Sequence, residues 1–116
     1  VITLKSLGNA AVSAISWILS SRSGKWPTVR NNFVKGKNCA ACGASKNLVV
    51  HHKIPVQVDP TKELDDDNFI VLCSKPSNCH FVFGHLHSYV SWNPDVVRDC
   101  EAHLKKVRNR PCLSKE

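Results

Sequence analysis

Four cysteines in two close pairs constrain this chain more than any other feature. Cys39-Ala-Ala-Cys42 is a C-x2-C knuckle followed by Gly43, and Cys73 and Cys79 form a second pair with five residues between them. Two close pairs separated by a longer interval are the usual layout of a four-cysteine zinc site. Metal binding energy then becomes folding energy, which matters for a chain of 116 residues, one domain with a modest core. Cys100 and Cys112 stand apart and read as ordinary thiols. The other use of an even cysteine count is a disulfide framework in a secreted protein, which this spacing suits less well. A structural zinc at Cys39, Cys42, Cys73 and Cys79 implies a reduced, cytoplasmic protein.

Lys and Arg number 16 against 9 Asp and Glu, a formal charge of +7. A small domain this basic suits a polyanion, with DNA the leading candidate, or is simply soluble and basic. No apolar run approaches the length needed to span a bilayer, so no membrane partner is expected.

Two domain-level segments are expected. Residues 1–24 hold a helix over about 10–21, capped by Asn9 with Ala10, Ala11, Ala14, Ile15, Ile18 and Leu19 as its apolar stripe, then a Ser/Gly linker. Its role is not legible. Residues 25–116 hold the working domain, with a core over 39–90. Thr28 caps a short helix before the knuckle, with Val29, Phe33 and Val34 inward and Trp26 assigned to the core. A strand over 47–52, a loop over 54–67 and a strand over 68–73 follow, then a helix from Cys79 to about Tyr89, capped by Ser77 or Asn78. Asp65, Asp66 and Asp67 read as a capped turn. The clearest helix spans 93–110, capped by Asn93, with Val96, Val97, Cys100, Leu104 and Val107 as its stripe and Lys105, Lys106, Arg108 and Arg110 at its negative end. The fold class is α+β.

The unusual polar residues, His51, His52, Asn68 and His80, lie within or just beyond the cysteine clamp. Side chains alternate along a strand, so adjacent His51 and His52 cannot face the same way unless the chain bends. The ordered set "CAAC" at 39, "VVHHKIPV" at 49, "DDNFIVLC" at 66 and "CHFVFGHL" at 79 resembles the HNH endonucleases over about residues 26–93. The resemblance implies a small zinc-stabilised ββα-metal (His-Me finger) core with flanking N- and C-terminal helices. It implies a metal-dependent endonuclease hydrolysing DNA phosphodiester bonds to a 5′-phosphate and a 3′-hydroxyl, in a bacterial or phage-encoded protein acting as a monomer or homodimer. His52 becomes the general base, Asn68 its catalytic support across the loop, and His51 and His80 the ligands of a divalent ion (Mg, Mn, Ni or Zn).

The family's third ligand, one turn past the final histidine, is replaced here by Gly84. His85 sits about 140° round an ideal helix from His80 and joins the ion only if the helix distorts at Gly84. His87 lies about 10 Å up the axis, too far for the same ion, and His103 reads as solvent-facing. Phosphate contacts are assigned to Lys25, Arg30, Lys35, Lys37 and Lys53. The rival class is a zinc-knuckle DNA-binding module without catalysis, which has no need of a base or an open metal site.

Overall fold

The computed structural model describes residues 23–114. The helix expected over 10–21 lies outside them. The element order is helix α1 (Trp26–Val34), strand β1 (Leu48–His52), strand β2 (Phe69–Cys73), a π turn (His80–Gly84) and helix α2 (Val96–Arg108). The architecture is a small α+β fold on a two-stranded sheet. No helix among the described residues is long and apolar enough to cross a membrane.

β1 and β2 pair antiparallel, with Leu48 opposite Cys73, Val50 opposite Val71 and His52 opposite Phe69. Directly opposed residues share a face. One face therefore carries Val50, His52, Phe69 and Val71, and the other Val49, His51, Ile70 and Leu72. α1 packs on the first face through Trp26, Val29, Phe33 and Val34, against Val50 and Phe69. On the second, Ile70 and Leu72 join Val96, Cys100 and the cysteine knuckle in a second cluster, with Phe83 of the π turn packed against it. β2 is covered on both sides, so all five of its residues are buried and its sequence, FIVLC, runs apolar without alternation.

The knuckle lies along β2: the Ala40 N–H donates to the Val71 carbonyl at 2.9 Å. Gly43 (φ +80°) lets the chain turn back, its N–H donating to the Cys39 carbonyl at 2.9 Å. The left-handed region that this turn needs is nearly closed to residues with a Cβ.

Four expectations about the helices are corrected. α1 starts at Trp26, two residues before the expected Thr28 cap, because Pro27 suits the first turn of a helix. The helix expected from Cys79 to Tyr89 is one π turn, with Asn78 Oδ1 accepting from the Phe81 N–H at 3.3 Å. The chain then leaves helical geometry, with Leu86 and His87 both at positive φ. α2 begins at Val96 rather than beside Asn93. Asn93 is buried and used differently: its Oδ1 accepts from the Asp95 N–H, and its Nδ2 donates to the Phe83 carbonyl and to Asp99 Oδ2. That side chain ties the start of α2 to the end of the π turn. Val97, counted in the buried stripe, is 38% exposed. Asp65 caps its turn as expected, accepting from the Asp67 N–H at 3.0 Å.

Candidate active site

Cys39, Cys42, Cys73 and Cys79 come together, their sulfurs all within 4.8 Å of one another. Cys42 Sγ and Cys73 Sγ stand 3.7 Å apart. A disulfide needs about 2.05 Å. Two thiolates on one tetrahedral zinc, at Zn–S of about 2.3 Å, stand about 3.8 Å apart. The four cysteines can therefore hold a zinc ion. Burial raises the thiols of Cys42 and Cys79, and neighbouring sulfurs add to the rise. At Cys39 burial also pushes upward, but hydrogen bonds from the backbone N–H groups of Cys42, Ala41 and Cys73 outweigh it and hold the thiol below its ordinary value. One sulfur of the set is thus already predisposed to the thiolate form. Cys100, fully buried beside the cluster, is pushed up to about 12 by burial and nearby negative groups. It is core, as expected of an ordinary thiol, and Cys112 is exposed.

The second constellation is histidine. β1 continues unbroken through His52, so strand alternation sends His51 toward the π turn and His52 toward α1. His51, His80 and His85 form a near-equilateral triangle of rings, with centroids 5.1, 5.0 and 4.8 Å apart. Each offers a nitrogen within 4.8 Å of the others, and the Nε2 atoms of His80 and His85 are 3.2 Å apart. The π turn explains how His85 arrives. Its i→i+5 spacing brings residues five apart onto one face, where an α-helix would hold them well round the axis. Gly84 makes room for this. A Cβ there would lie 2.9 Å from His51 Cε1 and 3.0 Å from its Nδ1.

The donor set fits a divalent cation. His85 Nδ1 meets the Ser91 carbonyl at 2.8 Å. A carbonyl only accepts, so Nδ1 of the neutral ring carries the hydrogen and Nε2 keeps its lone pair, directed at His80. His51 Nε2 is the one buried side-chain polar atom with no hydrogen-bond partner among the described residues. Burial, with the nearby histidines adding, lowers His51 to about 3; burial and His85 lower His80 to about 4. Both rings are neutral near pH 7, the state that ligates a metal. These residues would hold the ion. An orphaned buried nitrogen is otherwise costly, about 1–3 kcal/mol.

His52 Nε2 donates to the Glu63 carbonyl at 2.8 Å, which leaves the lone pair on Nδ1. Its ring lies against Trp26 (centroids 4.5 Å apart) and edge-on to Phe69 (5.3 Å). Trp26 is thus buried core, as expected, and also a wall for His52. Although they leave the strand on opposite faces, His51 and His52 line one cavity of about 150 Å³ with His80, His85, Pro55 and Gln57. Asn68 is buried and grips the loop after β1: Oδ1 accepts from the Ile54 N–H at 2.9 Å, while Nδ2 donates to the carbonyls of Ile54 and Lys62. It touches neither histidine through these bonds and acts as a positioning residue.

The cationic residues divide. Lys25 and Arg30 are exposed on or beside α1. Lys35 donates to Asn32 Oδ1 at 3.3 Å, and Lys37 folds back over the Phe33 ring and donates to the Phe33 carbonyl at 2.7 Å. Lys53 is half-buried and donates to the Asp67 carbonyl at 2.9 Å, bracing the end of β1. Lys37 and Lys53 thus already have local structural roles. His87 is exposed against Phe81. His103, expected in solvent, is half-buried with its ring on Phe83, 4.9 Å between centroids.

Sequence reasoning missed the Glu63 and Ser91 carbonyls, because backbone acceptors leave no mark in side-chain identity. Comparison with protein-family models, with curated proteins and with solved structures finds no match to this chain.

Proposed function

We propose that this chain is a metal-dependent endonuclease of the HNH type, with a ββα-metal core, hydrolysing DNA phosphodiester bonds. The observation that carries the reading is the convergence of His51, His80 and His85, with one orphaned buried nitrogen, in a cavity that His52 also lines. A purely structural zinc module has no use for a second, all-histidine cluster beside an independent histidine base.

His51, His80 and His85 would hold a divalent ion, which would supply positive charge where negative charge builds on the phosphate. All-nitrogen ligation suits Zn or Ni better than Mg. His52 takes the proton of the attacking water. The Glu63 carbonyl accepts from Nε2–H, fixes that tautomer and stabilises the imidazolium that forms. Trp26 and Phe69 hold the ring in plane, so little reorientation is needed during the reaction. Asn68 keeps the 54–62 loop, and with it the Glu63 side of the cavity, at a fixed distance from β1. The exposed cations Lys25, Arg30 and Lys35 draw the phosphate backbone in without reading sequence.

The test is nicking of supercoiled plasmid with Mg, Mn or Ni, beside His52→Ala. The intact protein should nick, and loss of the base should slow it about 10²–10⁴-fold. Absence of metal-dependent nicking would leave the non-catalytic zinc-knuckle module. Equal cleavage by both proteins would remove His52 from its role.

A further inference from the structure

Beyond the histidine cavity lies a groove of about 440 Å³, bounded by His85, Gln57, Val58, Tyr89, Val90 and Trp92. It is continuous with that cavity, sharing His85, Pro55 and Gln57. Its walls hold much of the exposed apolar surface: Val90 is 97% exposed, Tyr89 63% and Val58 56%. A small domain gains nothing in stability from such a cluster, and clustered exposed apolar groups mark binding surfaces.

The groove is also braced. The Tyr89 ring packs 5.0 Å from His85, 6.1 Å from His80 and 4.8 Å from Phe81, centroid to centroid. The Ser91 carbonyl that orients His85 sits in the same loop. Leu86 (φ 52°) and His87 (φ 67°) both occupy the left-handed region, a costly conformation for side chains of their size. The loop thus accepts backbone strain while keeping an aromatic ring open to solvent beside the ligand set.

We infer that this groove takes an unpaired nucleobase of the strand being cut, stacked on Tyr89 next to the scissile phosphate. The inference rests on the phosphodiester chemistry proposed above and adds the form of the substrate. A phosphate at the histidine triangle brings its flanking nucleosides to the cavity's edge, where the continuation is aromatic and apolar rather than cationic. Planar base faces stack on such a ring whatever their sequence. In a duplex those faces are covered by neighbouring pairs, so the groove selects single strands or a base turned out of the helix. The basic chain supplies the complementary charge for the backbone.

The experiment uses single-stranded and duplex oligonucleotides carrying 2-aminopurine, with the full chain bearing His52→Ala so that binding is read apart from cleavage. Single strands should bind more tightly than duplex, with the fluorophore quenched by stacking. Adding Tyr89→Ala should weaken single-strand binding about 5- to 100-fold and remove the quenching, whereas Tyr89→Trp should keep both. Circular dichroism confirms that each variant folds, as the exposure of Tyr89 leads one to expect. Equal affinity for duplex and single strand, or quenching indifferent to Tyr89→Ala, would overturn the inference even if the His52-intact protein nicks plasmid. Tyr89-dependent stacking in a protein that never nicks would uphold the groove and sink the nuclease reading instead.

Discussion

Gly84→Ala is the most demanding single test of the histidine triangle. The added methyl would sit 2.9 Å from His51 Cε1, 3.0 Å from Nδ1 and 3.2 Å from Nε2. Comfortable carbon–carbon separation is about 3.5–4.0 Å, so ring or turn must yield by roughly 0.5–1 Å. Ligand distances tolerate only about 0.2 Å. The displacement therefore exceeds what a shared ion can absorb, and affinity at this site should fall at least 10- to 100-fold, the scale seen when ligand orientation is lost. Overpacking costs about 1–3 kcal/mol, so a domain of this size should also melt about 4–20 °C lower. Gly84 lies outside the left-handed region, so the effect is steric and not a backbone penalty. Calorimetric titration of Ni into protein carrying one equivalent of zinc, enough for the four cysteines alone, checks it, with Gly24→Ala as control, since a Cβ at Gly24 meets nothing within 4 Å among the described residues. A Gly84→Ala protein that binds the second metal as tightly as the parent would refute the triangle as a shared ligand set.

Serine at any one of Cys39, Cys42, Cys73 or Cys79 should abolish the tightly held zinc seen by elemental analysis, and a strong chelator should unfold the parent; Cys112→Ser should do neither. Asn68→Ala removes three hydrogen bonds to buried or half-buried backbone, so chemical denaturation should show a loss of roughly 2–4 kcal/mol. Unchanged stability would mean the 54–62 loop is held by something else. Trp26→Ala empties the wall behind His52 and should cost about 3–5 kcal/mol in the same assay, while Trp26→Phe should retain most of it.

The parts legible in the sequence were those encoded by side-chain type at short range. The cysteine spacing gave the knuckle and its partner pair. The run FIVLC gave a strand, and the Asp65 turn followed from its own composition. Lys105, Lys106 and Arg108 do fall in the last turn of α2. The π turn was not legible, because α and π geometry differ by one residue per turn and the pattern HFVFGH suits either. Tertiary contact decides there: Gly84 admits the His51 ring, and Asn93 grips the Phe83 carbonyl. Asn93 has the residue type of a helix cap, but its side chain serves a distant carbonyl as well as the local turn. The grouping of His51, His80 and His85 depended on that distortion, so His85 could be named only conditionally.

The hairpin register has a consequence for how such a protein can change. With Leu48 opposite Cys73 and His52 opposite Phe69, the two adjacent histidines occupy opposite faces, each with its own surroundings. A slip of one residue in β1 would send each ring to the other's face. Two strands of five residues hold register weakly by themselves. Here Cys73 terminates β2 within the sulfur cluster, and the knuckle bonds the same strand at Val71. The sulfur cluster thus behaves as an indexing pin, setting which histidine is which. A single-residue insertion between Asn47 and Val49, away from both rings, should therefore exchange the surroundings of His51 and His52 and be far more damaging than its location suggests.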